Sequence, residues 1–344
     1  MEQAPGTVRD IGEFGLIAEL AAALPDAARG GSGLLLGIGD DAAVWTPGAG
    51  ESVVVTTDSL VEGIHFRLDW TDWFSLGHKA LAVNLSDLAA MGAVPRIATV
   101  SLGLRGDEPV EDLRNLYRGL GALAARTGTR IAGGDIVRSP HGRALHVTAL
   151  GETRGGRVLR RDGARSGDVV AVSGTLGASA AGMALLAGEG DRRAATADVL
   201  VAAHLRPEPR LALGRSLVEE GASAAMDLSD GLYGDLPKIL AASRVSARID
   251  LGRLPVAAAV RALFPERWLD LATRGGEDYE LLFTVPSTRW DEVDKATRDV
   301  GSTVTAIGEV VPATATGPRM VVFGLGGGER EIAPGAFDHF EGDG

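Results

Sequence analysis

The sequence predicts two domains of mixed α/β or α+β structure, and three observations carry that expectation. The chain has 344 residues, more than one hydrophobic core usually absorbs. Hydrophobic residues make up 45% and charged residues 23%, with 48 glycines, so apolar material is ample and turns are frequent. Segments of β-branched character alternate with segments of helical periodicity along the chain.

In order, residues 52–56 form a β-branched run and predict a strand. Residues 75–91 carry Leu81, Leu85, Leu88 and Met91 at three- and four-residue spacing and stop at Gly92, with Pro95 beyond, which predicts a helix. Asn84 and Asp87 fall on its opposite, polar face. Residues 97–102 read as a strand, and residues 109–127 as a second helix striped by Leu113, Leu116, Leu120 and Leu123 and ended by Gly128. Strands at 129–132 and 144–151 are expected to flank a Gly133-Gly134-Asp135 turn. An Arg- and Gly-rich stretch at 154–165 places the boundary near residue 155, giving domains 1–154 and 155–344. Beyond it, residues 167–172 restart a strand, 178–188 and 209–221 read as helices, and 245–251 and 279–285 as strands. Residues 304–311 and 320–323 look like closing strands. No short repeat, heptad series or low-complexity tract is present.

Composition excludes several function classes. A formal charge of −12 argues against a general nucleic-acid or membrane-surface binder, which relies on Lys and Arg to meet phosphate. There is no cysteine, which removes disulfides, thiolate metal sites and cysteine nucleophiles together. The first fifteen residues carry Glu2, Asp10 and Glu13 and do not resemble a secretory signal, so a cytoplasmic location is expected. No apolar stretch reaches the length of a membrane span.

What stands out chemically is a series of acids beside glycine-rich turns: Gly37-Ile38-Gly39-Asp40-Asp41, Thr56-Thr57-Asp58, Asn84-Leu85-Ser86-Asp87, Gly133-Gly134-Asp135, Asp227-Leu228-Ser229-Asp230-Gly231 and Gly275-Gly276-Glu277-Asp278. Taken singly, a Gly-Asp turn is usually just a turn. Together, oxygen donors of this kind suit hard divalent cations such as Mg2+, held by one or two carboxylates and by substrate phosphates. Lys79, Lys238 and Lys295 are the lysines of the chain and none follows a glycine, so no Walker loop is present. Gly37-Ile38-Gly39 lacks the third glycine of a dinucleotide fingerprint, because Ala42 stands there. The glycine of Asp227 to Gly231 falls at the fifth position rather than the sixth, so the EF-hand reading fails. An anionic substrate must then be reached through metal ions.

The ordered motifs resemble the bacterial thiamine-monophosphate kinase family of the aminoimidazole ribonucleotide synthetase-like ATP-binding superfamily. The resemblance runs nearly end to end. It takes in Gly12-Glu13-Phe14-Gly15-Leu16-Ile17, Gly37 to Ala42, Thr56 to Phe66, the highly specific Lys79 to Ala93, Gly133-Gly134-Asp135, His204-Leu205-Arg206-Pro207, Asp227 to Leu232, Gly275 to Leu281 and Phe337-Asp338-His339-Phe340. It implies an α+β, two-domain fold of the superfamily's type, with the N-terminal domain binding ATP and Mg2+ and pairing with a second copy into a dimeric β-barrel. It implies transfer of the ATP γ-phosphoryl group onto thiamine monophosphate, several Mg2+ ions, and a homodimer. By motif position, Asp41, Thr56, Thr57, Asp58, Asp87, Asp135, Asp227 and Asp230 would hold metal. Tyr117, Gly134, Asp135, Arg161 and Ser229 would contact ATP, with Arg160 an alternative to Arg161, and His65, Glu277 and Phe337 would meet the thiamine end. Phe337 departs from the Trp or Tyr that family members often carry there, but a phenyl ring can still stack on a pyrimidine.

The acceptor in that reaction is itself a phosphate with a second pKa of about 6, anionic at neutral pH. No general base and no covalent nucleophile is expected, and positioning with charge neutralisation would supply the catalysis. Two further readings accompany this one: another ATP-using enzyme of the superfamily, of the purine-pathway synthetase type, and a nucleotide- and metal-binding module without turnover.

Overall fold

The computed structural model describes residues 7–29, 33–36, 38 and 44–333, and falls into two compact units. The first comprises residues up to Leu88 together with Val94–Gly156, and the second Ala89–Ala93 and the chain from Arg157 onward.

In the first unit, helices α1 (Val8–Ala23) and α2 (Asp26–Arg29) precede a small antiparallel pair, β1 (Leu34–Leu36) and β2 (Val44–Trp45). Then follow β3 (Val53–Val61), α3 (Trp73–Ala90), β4 (Val94–Leu104), α4 (Val110–Thr127), β5 (Arg130–Arg138) and β6 (Ala144–Glu152). The sheet order is β3-β6-β4-β5, antiparallel except for the β4/β5 pair, which α4 joins as a crossover.

The leucine stripes do what their spacing predicts. Leu81, Leu85 and Leu88 on α3 and Leu113, Leu116, Leu120 and Leu123 on α4 are all buried. Gly128 caps α4 with a left-handed φ of 77°. The two helices touch backbone to backbone. A Cβ on Gly77 would lie 1.9 Å from the Leu116 carbonyl oxygen, and one on Gly119 1.9 Å from that of Phe74. Two expectations need correcting. The polar face of α3 is not turned to water: Asn84 and Ser86 are fully buried and Asp87 is half-buried. Gly133-Gly134-Asp135 is not a turn but runs inside β5, where a Cβ on Gly134 would meet the Val100 carbonyl oxygen at 1.9 Å. The glycine is there for close strand approach rather than for a reversal of direction.

One face of this sheet carries Leu145, Val147, Ala149, Ala98, Val100 and Leu102, all buried. The other is exposed at Val53, Val55, Thr57 and Ser59 on β3, His146 on β6 and Val137 on β5. Lateral hydrogen bonds run along it, Thr148 Oγ1 to Thr57 Oγ1 at 3.0 Å and Ser59 Oγ with His146 Nδ1 at 2.7 Å. Within a single chain the sheet is open, with β3 and β5 at its edges.

The second unit is built from β7 (Asp168–Ser173), α5 (Ala178–Leu186), α6 (Ala197–Leu205), α7 (Leu211–Glu219), β8 (Ala224–Asp227), α8 (Leu232–Ser243), β9 (Val245–Asp250), α9 (Ala258–Leu263), α10 (Trp268–Arg274), β10 (Leu281–Pro286), α11 (Trp290–Asp299), β11 (Val304–Pro312), β12 (Met320–Gly324) and β13 (Gly327–Ile332). Its seven strands order as β13-β12-β9-β11-β7-β10-β8, with β12/β9 the parallel pair. One apolar core joins strand residues such as Val170, Val172, Leu282 and Ile249 to Leu236, Ile239 and Leu240 of α8. A second, helical core gathers Leu185, Leu200, Val260, Phe264 and Leu271. Among the described residues no helix is long and apolar enough to cross a membrane.

Candidate active site

In the first unit the strand period of two sends Thr56 and Asp58 to the helix side of β3 and Thr57 to the exposed side. Asp87, one turn from the end of α3, meets them there. The Thr56 hydroxyl donates a short hydrogen bond to Asp87 Oδ2, and the Asp58 and Asp87 carboxyls share a hydrogen bond. Burial, then the charge of Asp87, then that shared bond push the Asp58 carboxyl up to about 6 from its ordinary 3.8. Two acids are held together here against their mutual repulsion.

The remaining predicted residues of this unit lie elsewhere. Thr57 bonds to Thr148 and to the Val147 carbonyl on β6. Asp135 sits opposite Ser101 on the ladder, in the row that continues to His146 and Ser59, one residue along from the Asp58 row. It is exposed and accepts from the Ile136 N–H at 2.9 Å. His65 lies in the turn after β3, its Nδ1 accepting from the Val61 N–H at 3.1 Å. Tyr117 is buried in α4, and desolvation drives its phenol well above the ordinary value. Among the described residues no three His, Asp or Glu side chains gather closely enough to hold a metal ion by themselves. Asp41 and, apart from Ile38, its Gly37 to Ala42 motif, like Phe337 to Phe340, lie outside the described residues.

In the second unit two predicted motifs, about fifty residues apart, are zipped together. The loop from β8 to α8 holds Asp227, Ser229 and Asp230, and the loop from α10 to β10 holds Gly275-Gly276-Glu277-Asp278. Glu277 N–H donates to the Ser229 carbonyl at 2.8 Å, Tyr279 N–H to that of Leu228 at 2.9 Å, and Leu228 N–H to that of Glu280 at 2.8 Å. The fit is tight enough that a Cβ on Gly276 would lie 2.4 Å from the Ser229 carbonyl oxygen. Glu277 and Tyr279 are both held in the left-handed region, at φ 64° and 51°. A non-glycine residue there costs of order 1 kcal/mol or more, and such strain tends to collect where a side chain must be aimed.

Asp227 ends β8 and is nearly buried. Asp230 is not a free carboxylate: Lys238 Nζ lies 2.6 Å from its Oδ2 and 2.8 Å from Oδ1 of the fully buried Asp235. Burial opposes the Lys238 charge, but its bonds to Asp230 and Asp235 outweigh that and hold its pKa above the ordinary value. The sequence reasoning missed this ammonium, although the three-residue spacing of Asp235 and Lys238 on α8 was a readable signal. Arg160 and Arg161 are both exposed. Arg160 pairs with Asp162 at 2.5 Å, whereas Arg161 makes no side-chain bond to another described residue.

Two further residues carry no assignment from sequence. Asp278 is half-buried beside the start of α5, accepting from Gly177 N–H at 2.6 Å and Ser179 N–H at 3.0 Å. Burial pushes its carboxyl up to about 7 even though those N–H groups favour the charged form. His204, from the His-Leu-Arg-Pro motif, lies with Nδ1 3.1 Å from Ser179 Oγ and 3.2 Å from Glu277 Oε2. None of these pairings has a local sequence signal, because the partners are from 25 to 101 residues apart in the chain.

These two units correspond to the two halves of the AIR synthase related class. The family model for its N-terminal domain matches residues 39–153, and that for its C-terminal domain residues 165–320. The chain is 43% identical to the thiamine-monophosphate kinase of Escherichia coli (strain K12) over 277 residues, covering 80% of this chain and 84% of that protein. The crystal structure of thiamine-monophosphate kinase from Stenotrophomonas maltophilia K279a superposes with a TM-score of 0.80 at 39% identity, covering 94% and 98% of the two chains. A structure described as AaThiL complexed with AMPPCP and TMP superposes with a TM-score of 0.75 at 33% identity, covering 96% and 98%. The chain belongs to the thiamine-monophosphate kinase family.

Proposed function

We propose that the chain is a cytoplasmic, homodimeric kinase that transfers the γ-phosphoryl group of ATP onto the phosphate of thiamine monophosphate, forming thiamine diphosphate and ADP. The observation that carries this reading is the Asp58–Asp87 pair. Two carboxylates pressed together beside the Thr56 hydroxyl, with the Asp58 carboxyl raised to about 6, would be relieved by a divalent cation between them. Hard oxygen donors in this number fit Mg2+, which keeps several waters and takes substrate phosphate oxygens as further ligands. When bound, Mg2+ would neutralise charge on the transferring group.

The chain's own residues bind and orient. Asp41, Thr57, Asp135 and Asp227 are assigned to metal by motif position, and Asp230 as well, where a cation would compete with the Lys238 ammonium. Gly134, Asp135 and Ser229 are assigned to ATP. So is Arg161, since its neighbour Arg160 is tied to Asp162. Tyr117, assigned to ATP by the same resemblance, is buried in its helix. His65, Glu277 and Phe337 are assigned to the thiamine end, where the Glu277 carboxylate complements a cationic heterocycle. The anionic acceptor oxygen needs no side chain to remove a proton, so direct in-line transfer without a phosphoenzyme follows. The exposed sheet face of Val53, Val55, Thr57 and Val137 supports pairing of two first units into a shared barrel, because exposed aliphatic residues on an open sheet gain from cover.

The test is ADP release with ATP and thiamine monophosphate, against ATP alone and ATP with unphosphorylated thiamine. Release that does not depend on the phosphorylated acceptor would reject the assignment.

A further inference from the structure

We propose that His204 is a positioning residue that aims the Glu277 carboxylate at the substrate. The inference rests on the reading of Glu277 as a thiamine-end residue and adds the group that orients it. The Glu277 backbone is fixed, with a left-handed φ of 64° and its N–H bound to the Ser229 carbonyl oxygen. Its side chain is about a quarter exposed and rotates about several bonds, so the direction it points is set by its contacts. His204 supplies one of them. The imidazole is buried on α6, with Nδ1 3.2 Å from Glu277 Oε2 and 3.1 Å from Ser179 Oγ. With its hydrogen on Nδ1, the imidazole can donate toward a carboxylate, which when ionised only accepts.

The imidazole is itself held in place. Asp278 anchors the first turn of α5 through the N–H groups of Gly177 and Ser179, and Ser179 presents its hydroxyl to His204. The adjacent acids Glu277 and Asp278 are thus splayed to different tasks, Asp278 fixing the helix and Glu277 meeting His204. The His204 contact at Oε2 orients the carboxylate, whose charge meets a cationic ligand.

Steady-state kinetics of the full-length protein test this, with thiamine monophosphate and ATP varied separately and thermal unfolding recorded for each variant. E277Q is expected to raise KM for thiamine monophosphate on the order of tenfold, the loss of one charge-assisted contact. H204A should raise the same KM about five- to tenfold and leave KM for ATP unchanged. H204N, whose amide nitrogen falls near the Nδ1 position, should restore most of the loss, and H204A in the E277Q background should add nothing. Should H204A not fold, H204Q, whose amide reaches past that position, takes its place with the same expectations. An H204A effect that adds fully to E277Q, that moves both KM values equally, or that appears in unfolding alone overturns the proposal. E277Q with unchanged KM removes the Glu277 reading and this proposal with it. An impaired E277Q beside an unimpaired H204A overturns the positioning role alone.

Discussion

Replacing Asp58 by Asn should make the metal-free protein more stable and the enzyme inactive. The folded structure raises the Asp58 carboxyl from 3.8 to about 6, through burial and the neighbouring charge of Asp87. At about 1.4 kcal/mol per pKa unit, holding it ionised costs roughly 3 kcal/mol, and about 2–3 kcal/mol once the burden is shared with Asp87. The sign follows from proton uptake. Because the folded pKa lies above the unfolded one, the folded state binds more protons between about pH 4 and pH 6, so stability declines as pH rises through that window and stays at its lower level above it. Asn never ionises and its amide can donate to Asp87, so D58N escapes that decline. In chelator at pH 8 the first unit should unfold roughly 5–10 °C higher in D58N than in the parent, and the gain should shrink to about half at pH 5. Calorimetry at the two pH values reads this directly. Adding Mg2+ should stabilise the parent more than the variant, and turnover of the variant should fall at least about a hundredfold. An unchanged or lower unfolding temperature for D58N at pH 8, or a gain that ignores pH, would refute the repulsion argument.

Other perturbations separate the remaining elements. G119A places a methyl carbon 1.9 Å from the Phe74 carbonyl oxygen and should destabilise the α3/α4 contact by about 3 kcal/mol or more, seen as a lower denaturant midpoint. K238M strips the counter-ion from Asp230 and the buried Asp235. Because the lysine is a third exposed, the expected cost is about 2 kcal/mol rather than the full value for a buried pair, measured by urea unfolding. R161A should raise KM for ATP several-fold while R160A leaves it nearly unchanged, with comparable effects of the two contradicting the choice between them. V55D, at a position already 60% exposed in the single chain, should leave each protomer folded but shift sedimentation from dimer to monomer.

The periodic features of the chain were legible from the start. The leucine stripes of α3 and α4 and the glycine that stops α4 were readable because each depends on neighbours within a few turns. The loops around Ser229 and Glu277 were each visible as motifs, yet nothing local showed that their backbones bond to one another. Gly133-Gly134-Asp135 misled because glycine signals both a turn and a close strand approach, and the distinction lies in Val100 some thirty residues away. Asp87 read as one residue of a polar helix face by helical period alone, although the Thr56 hydroxyl that it bonds lies on β3, far upstream. The thiamine-end assignment of Glu277 came from motif position, but the histidine beside it required three-dimensional packing to find.

Natural selection and laboratory selection would pull the turn at Glu277 and Tyr279 in opposite directions. Glycine or asparagine at either position would relax a left-handed backbone and survive heat better. A screen for robustness alone would therefore drift toward relaxed turns that have lost the aim of these two side chains, so any thermostabilised descendant should be chosen for turnover and endurance together.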